Sequence, residues 1–188
     1  MSKKRRLLAG IAVAAICLAT PVWGANADAF TLTSPAFADG GTLQKKNAAD
    51  DPTRNCGGGN VSPPLSWSGA PANTKSFAIL MFDPDGQLGI GVSHWVAYGI
   101  PANVTAFAEG ETSAPSKKFV GGKGTRGGTL YLGPCPPVGD SPHHYVFTVV
   151  ALDLPPGALK PEMTREELYA AMTGHALGAA SIVGRYAR

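Results

Sequence analysis

The sequence predicts a mainly β fold with one or two short helices near its C-terminal end. Three observations carry that expectation. Glycine (24 residues) and proline (16 residues) are abundant and spread along all 188 positions, which fits a turn-rich β chain better than a helical bundle. Three apolar segments, Phe77–Phe82 (FAILMF), His94–Ile100 (HWVAYGI) and Tyr145–Leu152 (YVFTVVAL), are rich in aromatic or β-branched residues. Helix-start chemistry appears late, where Thr164 and Glu167 form a capping-box pattern after Pro161.

Taken in chain order, short strands are expected at Phe30–Ser34 and Leu65–Trp67. The unbroken FAILMF run suits a buried strand. The HWVAYGI strand closes at Pro101, and strict alternation places His94, Val96, Tyr98 and Ile100 on one face. A short strand is expected at Thr129–Leu132. If the chain is extended from His143, then His143 and Tyr145 share a side and His144 faces the other way. In the helix, Leu168, Ala171, Met172 and His175 follow helical spacing, and Gly174 marks a break or the C-cap. Ala179–Tyr186 reads as a last strand or a second short helix. No internal repeat or linker divides the chain.

The first 27 residues read as a signal peptide. Lys3, Lys4, Arg5 and Arg6 precede an apolar run from Leu7 to Ala19, and Ala25-Asn26-Ala27 forms a small-x-small site with cleavage before Asp28. The run is shorter than the roughly 20 residues of a membrane span. A lipoprotein at Cys17 would need a small residue where Ile16 stands. This divides the chain into a signal, 1–27, and one domain, 28–188, placed in the periplasm or outside the cell. The chain has 16 basic and 13 acidic residues; without the four basic residues of the leader, 12 face 13, a net charge of −1. That balance gives no basic footprint for nucleic acid. Cys56 and Cys135 remain after cleavage, and in an oxidising compartment they are expected to form a disulfide.

Four segments have chemical potential. Asp83-Pro84-Asp85 places two carboxylates at a strand end, where a plain turn is the simpler reading. His94-Trp95 puts an imidazole on a strand, most often a hydrogen-bonded core residue. Gly133-Pro134-Cys135-Pro136-Pro137 is a stiff loop that runs on through Pro142 to His143 and Tyr145, a fitting wall for a small polar pocket. The Gly121–Gly128 stretch departs from a phosphate-binding loop, because Gly124 follows Lys123 where Ser or Thr is needed; a mobile surface loop accounts for it. Gly91-Val92-Ser93-His94-Trp95 lacks the last glycine of a nucleophile elbow, and Cys135, His143 and His144 lack zinc-ligand spacing. No cofactor or metal is called for. A hydrolase built on Asp83 and His94 lacks a recognisable nucleophile.

In order, these segments form a specific set. Gly59-Asn60-Val61-Ser62-Pro63-Pro64-Leu65-Ser66-Trp67 is followed by Asp83-Pro84-Asp85 and His94-Trp95. Next come Gly133-Pro134-Cys135-Pro136-Pro137, Pro142-His143-His144-Tyr145 and His175-Ala176-Leu177-Gly178. The set resembles the phosphatidylethanolamine-binding protein (PEBP) family, of the bacterial YbhB/YbcL or Raf-kinase-inhibitor-like type, over roughly residues 30–187. The resemblance implies antiparallel β-sheets in a sandwich-like, Greek-key arrangement with short helices. It also implies a small pocket that accepts phosphate-like or phospholipid head-group anions without turnover. Asp83 and Asp85 would then sit at the pocket mouth, His94, His143 and Tyr145 would line it, and Gly133, Pro136 and Pro137 would form one wall. Asp83 would orient a histidine, since a free carboxylate would repel an anion. The family name also implies a runner-up role, inhibition or modulation of a protein partner such as a kinase, protease or signalling protein. The chain departs from the family pattern at Gly86-Gln87, where Ala-Pro is usual, at Val92-Ser93, where aromatic residues are usual, and at His144, where Arg is usual. The departures fall on the rim more than on the pocket floor.

Overall fold

FAILMF is apolar at every position because its strand is buried on both faces. The computed structural model describes residues 29–188, so the expected signal peptide, 1–27, and its expected cleavage before Asp28 lie outside the described residues. A three-stranded sheet has the order β1 (Thr31–Thr33), β3 (Leu65–Ser68), β6 (Ala106–Phe107). A six-stranded sheet has the order β2 (Gly41–Thr42), β9 (Ala176–Tyr186), β8 (His143–Leu152), β4 (Ser76–Asp83), β5 (Val92–Pro101), β7 (Val120–Gly121). Pairing is antiparallel except between β2 and β9.

The main core lies between the sheets. Phe77, Ile79 and Met81 of β4 and Tyr145, Phe147 and Val149 of β8 meet Trp67 of β3 and Phe107 of β6 there. Trp67 packs edge-on to Phe77 with ring centroids 5.6 Å apart. The opposite face of the large sheet, with Leu80, Val96, Tyr98 and Val150, is covered by Met163 and by Leu168 and Met172 of α1 (Arg165–Met172), the one α-helix among the described residues. Each fully buried Leu or Phe contributes about 1.5–3 kcal/mol, so a two-sided sheet is the main source of stability. The capping box forms as expected: the Thr164 hydroxyl accepts from the Glu167 N–H, and the Glu167 carboxylate accepts from the Thr164 N–H. Beyond α1, Gly174 takes a left-handed φ of 82°, and the tail runs on as strand β9 rather than a second helix.

Two local expectations need correction. Ile100 joins Trp95 and Ala97 in the main core, while Val96 and Tyr98 face the helix. The cause is a register shift between the Phe77–Ile100 and Ile79–Ala97 pairs, where Gly99 adopts φ 62° and exchanges the faces. Thr129–Leu132 is not a strand. Its backbone bonds go elsewhere: Tyr131 N–H donates to the Thr112 carbonyl, the Tyr131 carbonyl accepts from Asn60 Nδ2, and the Leu132 carbonyl accepts from His94.

Cys56 and Cys135 form a disulfide with their Cα atoms 5.4 Å apart, closing a sequence separation of 79. It joins the turn that follows Asp51 to the proline-rich loop. In the loop-entropy model such a closure contributes about 4 kcal/mol.

Candidate functional site

The site forms where three neighbouring strands of the large sheet end together: the C-terminus of β4 and the N-termini of β5 and β8. Asp83 closes β4, its partner Val92 opens β5, and His143 opens β8. Strand alternation turns His143 and Tyr145 inward and leaves His144 exposed, as expected.

His94 reaches this face through a second irregularity. Met81 pairs with Trp95 but Phe82 pairs with Ser93, so His94 is the extra residue of a bulge. Regular alternation would have sent it to the side of Val96; the bulge brings it edge-on to Tyr145, with ring centroids 5.2 Å apart. Its Nδ1–H donates to the Leu132 carbonyl over 2.9 Å. Its Nε2 lies 3.9 Å from Asp83 Oδ2, too far for a hydrogen bond.

Asp83 pairs instead with His143. Its Oδ2 accepts from His143 Nδ1 at 2.8 Å, and its Oδ1 accepts from the N–H groups of Asp85 and Gly86 at 2.9 and 3.0 Å. The Asp-Pro-Asp segment is therefore a turn, and its first carboxylate also pairs with a buried histidine. Burial opposes the Asp83 charge, but the two imidazoles outweigh it and hold the carboxyl below its ordinary range. For His143, burial opposes protonation, and Asp83, aided by Asp140 Oδ2 at 3.4 Å from Nε2, prevails and raises its pKa. The carboxylate thus accepts three hydrogen bonds, and the pair favours an ionised Asp83 and a protonated His143.

Tyr145 is fully buried, and among the described residues its hydroxyl finds no hydrogen-bond partner. Burial, and then the nearby Asp83, push its pKa up, so it stays a neutral donor.

These groups share one cavity of about 240 Å³. Asp83, His94, Pro136, Pro137, His143 and Tyr145 line it. Two expected members do not. Asp85 lies outside on the rim, where its carboxylate accepts from the His144 N–H at 2.7 Å and pairs with His144 Nδ1 at 2.9 Å. Gly133 supports the wall from behind: a Cβ there would run into the Asn47 carbonyl and the Ala48 backbone, and its N–H donates to Asn60 Oδ1. Asn60, the asparagine of the Asn60-Val61-Ser62 triplet, is thereby taken up inside the fold.

The cavity also includes Cys135, from the loop read as its wall, Gly86, Gln87 and Val92, from the departures read at its rim, and two residues not foreseen, Arg54 and Arg126. Arg54 had a signal, since it stands two residues before a cysteine expected to join the proline loop; its guanidinium donates to the Cys135 carbonyl at 3.1 Å. Arg126 had none, because it sits on the Gly121–Gly128 stretch, which reads as a surface loop. That loop is tied to β5 through the Thr125 N–H to the Ser93 carbonyl and the Ser93 N–H to the Thr125 hydroxyl. Beside the mouth, Gln87 and Leu88 hold left-handed backbone (φ 52° and 59°), and Leu88, Ile90 and Val138 present exposed aliphatic side chains.

Comparison with known proteins bears on this site. Residues 33–187 match the model of a family described as phosphatidylethanolamine-binding protein. YbcL of Escherichia coli K12, a UPF0098 protein, is 41% identical over 140 residues, covering 72% of this chain and 75% of that protein. A Mycobacterium tuberculosis protein whose name marks it as a candidate lipoprotein, LppC, is 38% identical over 164 residues, covering 85% of this chain and 73% of that protein. The crystal structure of E. coli YbcL, titled a new member of the mammalian PEBP family, superposes with a TM-score of 0.76 at 34% identity, covering 85% of this chain and 98% of that one.

Proposed function

Because this chain belongs to the phosphatidylethanolamine-binding protein family, we propose that it binds a phosphate-like anion, free or as a phospholipid head group, in the Asp83–His143–Tyr145 cavity, without catalytic turnover. The observation that carries this reading is Tyr145, which lines the cavity and whose fully buried hydroxyl has no partner among the described residues. An unsatisfied buried hydroxyl costs about 1–3 kcal/mol, which a ligand oxygen would recover. The charge of Asp83 is offset by His143, and its oxygens accept from His143 and two backbone N–H groups. Arg54 and Arg126 add positive charge on the lining. Turnover would need a nucleophile beside a base, and the carboxylate–imidazole pair is instead engaged in holding the floor.

The reading places the protein outside the cytoplasm, in the periplasm or beyond, as one domain over residues 28–188 once residues 1–27 are removed. The disulfide agrees with an oxidising compartment, and the relative named as a candidate lipoprotein agrees with export. No helix among the described residues is long and apolar enough to cross a membrane.

The test is an NMR titration with phosphate and phosphoethanolamine. Saturable shifts at Asp83, His94, His143 and Tyr145, lost in His143→Ala, are expected. Absence of saturable shifts in the unaltered protein would overturn anion binding. It would favour a second reading, modulation of a protein partner through the exposed edge formed by Leu88, Ile90 and Val138.

A further inference from the structure

The lining is asymmetric in charge. Asp83 is its only carboxylate and is engaged by His143; two guanidiniums, Arg54 and Arg126, stand with it. Of the acids around the site, Asp85 pairs with His144, Asp140 lies 3.4 Å from His143, and Asp51 acts on Arg54 from outside the lining. On the lining itself, an ammonium group entering with a phosphate would meet no carboxylate but the one that His143 already holds.

The Arg54 guanidinium has one hydrogen bond, to the Cys135 carbonyl, and the Arg126 guanidinium makes no hydrogen bond or ion pair among the described residues. Guanidinium groups match phosphate oxygens with paired N–H donors, and their charge favours an anion carrying two negative charges over one whose charge is cancelled internally. Arg54 is half-buried, and burial, followed by the like charge of Arg126, lowers its pKa. The buried, unpartnered Tyr145 hydroxyl supplies an independent sign that the cavity is built for a ligand.

We propose that Arg54 and Arg126 make this cavity selective for phosphomonoester dianions over zwitterionic phosphodiester head groups. The proposal rests on the anion-cavity reading above and names the ligand class for that cavity. The same chemistry has two sources, a free phosphomonoester and a monoester-headed lipid such as phosphatidate.

Calorimetry of the purified protein at about pH 8, where the second phosphate proton is lost, tests it. Glycerol 3-phosphate is compared with glycerophosphoethanolamine in the unaltered protein, Arg54→Gln, Arg126→Gln and Arg126→Lys, with thermal melting of each as a folding control. The monoester is expected to bind at least about tenfold tighter than the diester. Arg126→Gln, a change on an exposed loop, is expected to weaken the dianion more than the diester and so to remove most of that preference. Arg126→Lys should retain part of it. Equal affinities in the unaltered protein, or a preference unchanged in both glutamine variants, would overturn the selectivity and leave the anion cavity standing. Failure of both ligands to bind would overturn the cavity reading itself. Vesicles containing phosphatidate separate the sources: tighter binding there than to glycerol 3-phosphate supports the lipid form, and no gain supports the free monoester.

Discussion

Two histidine–aspartate pairs lie one strand position apart and have nearly the same geometry. His143–Asp83 spans 2.8 Å and His144–Asp85 spans 2.9 Å. Their surroundings differ: side-chain exposure is 10% and 4% in the first pair, 50% and 42% in the second. Alternation along β8 alone decides this, turning His143 to the core and His144 to water. Distance therefore does not measure what a pair does. In water the attraction is screened and offset by side-chain entropy, whereas in the buried floor the same contact fixes the ring's orientation, favours its charge and shapes the cavity.

The strongest way to break the comparison is to remove one carboxylate at a time. Asp83→Asn is expected to lower stability by about 3 kcal/mol in urea unfolding, since it leaves His143 buried without its partner. Asp85→Asn is expected to change stability by no more than about 0.5 kcal/mol. A double-mutant cycle sharpens the contrast: coupling of about 2 kcal/mol for Asp83–His143 against less than about 0.5 kcal/mol for Asp85–His144.

A smaller effect follows from pH. The folded pKa of Asp83 is depressed, so its contribution is present above the ordinary carboxylate value of 3.8 and is lost as pH falls through the depressed value. The folded pKa of His143 is raised, so the contribution is fully present below the ordinary 6.5 and is lost as pH rises through the raised value. Both statements describe one interaction, counted once. The stability difference between the unaltered protein and Asp83→Asn should be greatest between those two ordinary values and narrow on both sides, as urea melts across pH would record. The smallest effect is expected for His144→Ala, with stability unchanged within about 0.5 kcal/mol and phosphate affinity within about twofold.

Much of the floor was legible in the sequence, and for local reasons. Alternation sufficed for His143, His144 and Tyr145 because β8 pairs with β4 without a register shift. On β5, alternation misplaced both Ile100 and His94, because bulges change the facing of a strand without a clear mark in composition. The disulfide followed from two cysteines and compartment logic. Thr129–Leu132 looked like a strand because its residues suit one, yet its backbone groups are claimed by Asn60, Thr112 and His94 from far along the chain. The rim was the least legible part. Arg126 reaches the cavity only because its loop is fastened to Ser93, a contact that no local pattern announces.

The central claim, that the cavity holds a phosphate-like anion through donors left open on its floor, is tested most directly by phosphate binding isotherms of the unaltered protein and Tyr145→Phe. The substitution removes one oxygen atom from a fully buried ring and leaves the His143–Asp83 pair untouched. The account predicts an unchanged fold by NMR and phosphate affinity weakened by roughly tenfold, the loss of one hydrogen bond to a charged group. Equal affinity in the two proteins would contradict it, because the orphan hydroxyl would then have no part in holding the anion.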